Sequence, residues 1–215
     1  MIKLENKDST TLSLDDLANV GAIITDPPYG IDLKSNCKRG VKGRNAKYGI
    51  EGDSNQDAGN IIINMSKAAG VPVLACFASP SKPWPGDWRN LIVWDKGGGT
   101  GFGGDTKTCL RRTWELIQVN NKTPINNGRP ESVWRVTFSN SIFKDHNCAK
   151  PVSLMKKLIS TFVPPGSLIL DPFMGSGSTG VAAKELGYDF WGIEKDEKHY
   201  KTAEQRINNI TDLLL

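Results

Sequence analysis

The chain has 215 residues, of which 38% are hydrophobic and 23% are charged, and its formal net charge is +4. This composition excludes a disordered or fibrous chain, and no apolar run reaches the roughly 20 residues of a membrane-spanning helix. The first eight residues lack an apolar signal core, so a cytoplasmic protein is expected. The two histidines and four widely spaced cysteines lack metal-ligand spacing, so no metal site is expected.

Short apolar runs alternate with amphipathic helical patterns along the chain. The apolar runs predict strands at residues 1–4, 20–25, 71–78, 91–94, 114–119, 167–170 and 190–193. Apolar side chains spaced three or four residues apart predict helices at residues 58–69, 151–162, 178–186 and 197–214. This alternation indicates an α/β fold: a doubly wound, mostly parallel sheet with helices on both faces.

Positive charge is concentrated in two middle segments of the chain. Residues 34–47 carry six basic and no acidic side chains, and residues 89–157 carry 12 basic and five acidic ones. Like charges in a glycine-rich loop repel one another unless an anion neutralises them. This clustering favours contact with nucleic-acid phosphates over a merely solvated loop.

A proline-stiffened turn, Asp26-Pro27-Pro28-Tyr29, follows the predicted strand at residues 20–25. The two prolines remove backbone donors and fix the turn, which leaves carbonyl groups free to accept hydrogen bonds. In open α/β sheets, ligands bind at the carboxyl ends of strands, where Asp26 lies. An aspartate oxygen and a proline carbonyl together suit the two hydrogens of an exocyclic amine, and Tyr29 offers a ring for stacking.

A glycine-rich turn follows the strand at residues 167–170. Gly175, Gly177 and Gly180 match the pattern G-x-G-x-x-G, and Glu194 ends the next strand, 19 residues after Gly175. Such a turn lets the backbone approach a nucleotide closely, while the carboxylate accepts hydrogen bonds from ribose hydroxyls. Only about 20 residues follow Glu194, so a ligand with one nucleoside suits this order better than NAD.

The two turns together resemble those of the amino-methylating DNA methyltransferases. Asp26-Pro-Pro-Tyr29 matches their amine-binding motif, and Asp171-Pro-Phe-Met-Gly-Ser-Gly177 matches their cofactor motif. The amine-binding motif comes first, as in the circularly permuted beta class, and His146-Asn-Cys-Ala-Lys-Pro151 resembles a further segment of that class. The resemblance implies a Rossmann-like methyltransferase fold, with residues 1–215 forming a single methyltransferase domain.

The resemblance implies an enzyme that methylates adenine N6 at specific sites in DNA, as part of a restriction–modification system. The target base would be flipped out of the helix. Asp26 and the Pro27 carbonyl would accept hydrogen bonds from its amino group, Pro28 would stiffen the turn, and Tyr29 would stack on the base. Aspartate in place of serine before Pro-Pro-Tyr favours adenine N6 over cytosine N4.

The methyl donor implied by the resemblance is S-adenosylmethionine. Its predicted binding residues are Asp8, Lys150, Asp171, Phe173, Gly175, Ser176, Gly177 and Glu194. Among these, Glu194 would bind the ribose hydroxyls, Lys150 would pair with the methionine carboxylate, and Asp8 would lie near the adenine.

The predicted DNA contacts come from basic side chains near the amine-binding turn. They are Lys34, Lys38, Arg39, Lys42, Arg44 and Lys47 of the loop at residues 30–57, together with Arg111 and Arg112. Residues 120–145 form a small recognition insertion, so a short target, a second subunit in a homodimer, or weak selectivity is expected.

Three tryptophans, Trp84, Trp88 and Trp134, lie in proline- and charge-rich loops. Indole rings in such loops either anchor the loop to the core or stack on nucleic-acid bases. Packing is the expected role, and base stacking is the alternative.

Other functions remain open from the sequence. The same amine chemistry suits cytosine N4 or a base of RNA. The glycine turn also suits an NAD-linked oxidoreductase, and the basic segments suit a DNA-binding protein without catalysis.

Overall fold

The computed structural model describes residues 1–30, 55–97, 107–108, 110–126, 128–137 and 149–210. Its strands are β1 Ile2–Asn6, β2 Val20–Thr25, β3 Val73–Ala78, β4 Asn90–Asp95, β5 Trp114–Asn121, β6 Val133–Arg135, β7 Leu168–Asp171 and β8 Asp189–Glu194. Its helices are α1 Asp57–Ala68, α2 Val152–Phe162, α3 Ser178–Glu185 and α4 Glu197–Asn208. Short 3-10 helices lie at Ser9–Thr11 and Asp15–Leu17.

The eight strands form one sheet in the order β1-β8-β7-β2-β3-β5-β4-β6. The five strands from β1 to β3 are mutually parallel, whereas β5 runs antiparallel to both β3 and β4. The predicted mostly parallel α/β sheet is confirmed. The three-residue strand β6 was not predicted, because its run Val133–Arg135 is too short for a periodic signal.

Two hydrophobic cores cover the two faces of the sheet. Buried side chains of α2, α3 and α4 pack on one face, which includes Ala22, Ile24, Ile117 and Val119. Buried side chains of α1 and of the segment around Trp84 pack on the other face. Strand β2 is buried on both faces, and its residues before Thr25 are apolar without alternation, as expected for an inner parallel strand.

The helix boundaries agree with the predictions to within a residue or two, except at the end of the last helix. Helix α4 ends at Asn208, with Asn209 as its C-cap, whereas the prediction extended to residue 214. Asparagine side chains hydrogen-bond to nearby backbone and therefore favour helix ends. Within the described ranges, no helix has the length and apolar content that crossing a bilayer requires.

Candidate active site

Parallel pairing brings the two predicted turns to one edge of the sheet. Strands β2 and β7 are neighbours, with Ile23 opposite Leu170, so the turns that follow Thr25 and Asp171 lie side by side. Tyr29 and Phe173, one from each turn, are half-buried and pack against the same hydrophobic core. Residues about 145 positions apart in sequence thus form one site at the carboxyl ends of the strands, as parallel sheets favour.

Asp26 lies at the centre of this edge and uses both carboxylate oxygens. The Tyr29 hydroxyl donates a hydrogen bond to Oδ1, and the Lys150 ammonium donates to Oδ2 at 2.5 Å. Each carboxylate oxygen has a second lone pair, so the side chain still has acceptor capacity. The site therefore presents a fixed, partly exposed carboxylate suited to binding a donor such as an amine.

Lys150 lies between two carboxylates. Its Nζ is 2.5 Å from Asp26 Oδ2 and 3.2 Å from Glu115 Oε2. Burial lowers the pKa of Lys150, but the charges of Asp26 and Glu115 outweigh burial and hold that pKa above its ordinary value. Lys150 was predicted to bind a cofactor carboxylate; that role stays a prediction, and the structure adds its contacts with Asp26 and Glu115.

Asp171 is buried at the end of β7 and holds the start of the glycine turn. Its Oδ1 accepts a hydrogen bond from the Phe173 amide at 3.1 Å, and Thr179 Oγ1 donates to its Oδ2 at 2.5 Å. Burial raises the pKa of Asp171 to about 7, although the Thr179 hydrogen bond acts in the opposite direction.

The raised pKa of Asp171 predicts a pH-dependent stability. A carboxyl whose pKa is higher in the folded chain contributes most below its ordinary value of 3.8, and this contribution is lost as the pH rises towards about 7. Relative to Asp171→Asn, the wild-type free energy of unfolding should fall over this window by up to about 1.4 kcal/mol per pH unit. Urea unfolding from pH 4 to 8 measures the difference, and parallel curves for the two proteins would contradict it.

The glycine turn combines an open position with close packing. Gly175 has φ +52°, and a β-carbon built there would have no neighbour within 4 Å, so this residue borders open space. A β-carbon at Gly177, with φ +80°, would instead lie 2.9 Å from the Ala203 β-carbon of α4. The first glycine thus leaves room for a ligand, and the second allows α4 to pack against the turn.

Glu194 and Arg206 hold the glycine turn from two sides. Glu194 accepts hydrogen bonds from the amides of Gly175 and Asp196, both at 2.9 Å. Arg206 of α4 donates to the Ser176 carbonyl and, at 2.9 Å, to the Ser176 hydroxyl. The predicted ligand residues Gly175 and Glu194 therefore lie together, whereas the Ser176 side chain faces Arg206. No sequence pattern indicated Arg206, because its contact with Ser176 joins residues 30 positions apart.

Asp8 lies farther along the same edge. Strand β1 pairs with β8, and the Asp8 carboxylate lies 3.0 Å from Nζ of Lys195, the residue after Glu194. Asp8 also accepts hydrogen bonds from the Thr10 amide and hydroxyl, which hold the pKa of its carboxyl below its ordinary value. Asp8 thus lies beside the residue that follows β8, and its predicted ligand role stays a prediction.

The predicted basic residues are only partly covered by the structure. Lys34, Lys38, Arg39, Lys42, Arg44 and Lys47 lie outside the described residues. Arg111 and Arg112 are exposed and lie just before Thr113 and the start of β5. Trp114 at the start of β5 pairs with Asp95 at the carboxyl end of β4. The two arginines therefore lie at the same edge of the sheet as Asp26, where the parallel strands end.

Comparisons with known proteins agree with this arrangement. A family model described as DNA methylase, of the N6/N4 methyltransferase type, matches residues 20–205. The chain is 33% identical over 141 residues to Type II methyltransferase M.HinfI of Haemophilus influenzae, covering 56% of this chain and 39% of that protein. It is 37% identical over 87 residues to Type II methyltransferase M2.DpnII of Streptococcus pneumoniae, covering 39% and 32%. The matches thus span well under half of each relative.

Solved structures share the fold over nearly the whole chain. The M1.HpyAVI–SAM complex superposes with a TM-score of 0.69 at 23% identity, covering 97% of this chain and 100% of that one. The cytosine-N4-specific PvuII DNA methyltransferase superposes with a TM-score of 0.70 at 15% identity, covering 98% and 88%. At these identities, the likeness concerns the fold.

Proposed function

Because the chain belongs to the N6/N4 DNA methylase family, we propose that it transfers a methyl group from S-adenosylmethionine to adenine N6 of a flipped-out DNA base. The observation that carries this proposal is the position of Asp26 beside the glycine turn at one edge of the sheet. An amine acceptor and a turn that borders open space are thereby neighbours. Positioning of the two reactants is the main contribution expected from such a site.

The residues around Asp26 suit an exocyclic amine. The Asp26 carboxylate and the Pro27 carbonyl are acceptors, and an amino group has two hydrogens to donate. Hydrogen bonds from both hydrogens would orient the nitrogen lone pair away from the ring and towards the methyl donor. The Tyr29 ring, half-buried beside Asp26, supplies a surface on which the base stacks.

The glycine turn fits S-adenosylmethionine, which supplies a methyl group on a good sulfonium leaving group. Open space beside Gly175 leaves room for the nucleoside, and the partly exposed Glu194 carboxylate lies beside that space. Phe173, also partly exposed, adds an apolar wall. The proposed cofactor site is completed by Asp171, Ser176 and Gly177 of the turn, by Asp8 at the adenine end, and by Lys150 beside Asp26.

The DNA contacts follow from charge at the same edge. Arg111 and Arg112 are exposed on the side of Asp26, where they suit backbone phosphates that flank a flipped base. The basic segment at residues 34–47 directly follows the amine-binding turn in sequence. The proposal includes these residues as DNA contacts. It also includes a single domain over residues 1–215, a cytoplasmic location, a homodimer and a restriction–modification role.

Labelled methyl transfer tests the proposed reaction. Purified protein would be incubated with methyl-labelled S-adenosylmethionine and PCR-amplified genomic DNA, which carries no methylated bases, and the DNA would be digested to nucleosides. The expected product is N6-methyldeoxyadenosine. N4-methyldeoxycytidine as the product would change the target to cytosine N4, and label found only in an added RNA would change the substrate to RNA. Binding of S-adenosylmethionine without transfer of label to either nucleic acid would overturn the proposal.

Glu194 provides a test of the cofactor assignment. Because its carboxylate is the proposed partner of the ribose hydroxyls, Glu194→Gln should weaken S-adenosylmethionine binding about 10-fold, the effect of losing one hydrogen bond to a charged group. Titration calorimetry measures the dissociation constants of S-adenosylmethionine and NAD for both proteins. Tight NAD binding by the wild type would favour the oxidoreductase instead.

A further inference from the structure

Four side chains of alternating charge, ending at Asp26, form a row of ion pairs. Lys96 Nζ contacts Glu115 Oε1, Glu115 Oε2 lies 3.2 Å from Lys150 Nζ, and Lys150 Nζ lies 2.5 Å from Asp26 Oδ2. Exposure decreases from 31% for the Asp26 side chain to 20% for Glu115 and 11% for Lys150. Asp26 is thus the member of this row that is most open to a ligand.

Strand geometry explains why these residues meet. Glu115 lies two residues before Ile117 on β5, and Asp26 lies two residues after Ile24, so both carboxylates continue the sheet face that packs on α2. Lys150 precedes the first turn of α2 and reaches the space between them. Its ammonium also lies 4.9 Å from the Phe77 ring centroid and 6.0 Å from that of Tyr29.

The buried charges depend on one another. Burial raises the pKa of Glu115, but the charges of Lys150 and Lys96 outweigh it and hold that pKa below its ordinary value. Lys150 is held in its charged form by Asp26 and Glu115 in the same way. Removing one member of such a set leaves its partners as uncompensated buried charges.

We propose that Glu115 is a positioning residue, which fixes the Lys150 ammonium from behind so that the Asp26 carboxylate is presented to the substrate amine. This inference rests on the proposed function. A lysine stem is flexible, and an ammonium paired with Asp26 alone has no second ion pair to define its position. With Glu115 on its inner side, the ammonium fixes one Asp26 oxygen and leaves the remaining lone pairs for the amine. Lys96 supports Glu115 from the other end.

Glu115→Gln tests this role, because it keeps the size of the side chain and removes its charge. The measurement is the single-turnover rate of methyl transfer to PCR-amplified genomic DNA, with enzyme in excess and S-adenosylmethionine saturating. A fall of about 10- to 100-fold is expected, as a small misplacement of a reacting group produces. The stoichiometry of S-adenosylmethionine binding should stay at the wild-type value, because Glu115 does not border the glycine turn and the cofactor is saturating.

The matched control is Glu185→Gln. Glu185 forms an ion pair with Lys156 at 2.5 Å on the exposed side of α2 and α3, away from Asp26. Loss of this ion pair in Glu185→Gln should leave the single-turnover rate unchanged. A Glu115→Gln protein with the wild-type rate, or one whose cofactor stoichiometry falls in parallel with its rate, would overturn the positioning role.

A second variant keeps the test valid if Glu115→Gln does not fold. Lys96→Gln removes one contact of Glu115 and leaves Lys150 and Asp26 in place, so a smaller fall in rate at unchanged cofactor stoichiometry is expected. A wild-type rate in this variant would then overturn the inference. If the wild-type protein itself transfers no methyl group to any nucleic acid, the proposed function fails and this inference fails with it.

Discussion

Replacing Asp26 by alanine is expected to lower the single-turnover rate of methyl transfer by about 10²- to 10³-fold, the usual effect of removing one group that interacts with the reacting atoms. The carboxylate is the proposed acceptor for the substrate amine, and its position between Tyr29 and Lys150 is fixed. The stoichiometry of S-adenosylmethionine binding at saturation should change little, because within the described residues the Asp26 side chain makes no hydrogen bond to the glycine turn.

Two comparisons make the Asp26 experiment specific. Asp26→Asn keeps the shape of the side chain but replaces one acceptor oxygen by a donor, so it should also be strongly impaired. The same change at the exposed Asp87 should leave the rate unchanged. Wild-type transfer by Asp26→Ala would exclude the acceptor role, and loss of cofactor binding in step with activity would indicate a structural role instead.

The fold was largely predictable because its signals are local. Strands β2, β3 and β7 are continuous apolar runs, and α2 carries apolar side chains on one face, so each element is evident from its own residues. The resemblance to the permuted beta class of DNA methyltransferases is confirmed by the family match, and the expected fold by the structural neighbours. The antiparallel direction of β5 was not predictable, because a buried strand has the same pattern in either direction.

The site was predictable to the extent that its residues follow strands directly. Asp26 and Glu194 each lie at the end of a strand in the sequence pattern, and parallel pairing brings such positions to one edge. The contacts of Lys150 with Asp26 and of Arg206 with Ser176 join residues 124 and 30 positions apart. No periodicity links these residues, so only the folded chain reveals that a basic residue supports each turn. Glu115 carried a weaker signal, as a charge near the start of a buried strand.

Trp84 is one of the large buried side chains whose loss should strongly reduce stability. Its indole is 2% exposed in the core beside α1, and Nε1 donates to the Phe77 carbonyl at 2.8 Å. The packing is so close that a β-carbon on Gly59 of α1 would lie 2.3 Å from Trp84 Cη2. The Trp84 backbone amide also donates to Gln118 Oε1 at 2.7 Å. The predicted packing role of this tryptophan is therefore confirmed, as it is for Trp134, which is 1% exposed.

Trp84→Ala is expected to lower the free energy of unfolding by about 3–5 kcal/mol, the usual result of removing a large aromatic side chain from a core. Since whole domains are stable by about 5–15 kcal/mol, this is a large share of the total. Urea unfolding followed by circular dichroism measures the change. Trp114→Ala is the matched control, because Trp114 is 41% exposed and its removal creates no internal cavity. Equal stability of the two variants would contradict the packing role of Trp84. If the Trp84→Ala protein kept wild-type stability but lost affinity for DNA, base stacking would be favoured instead.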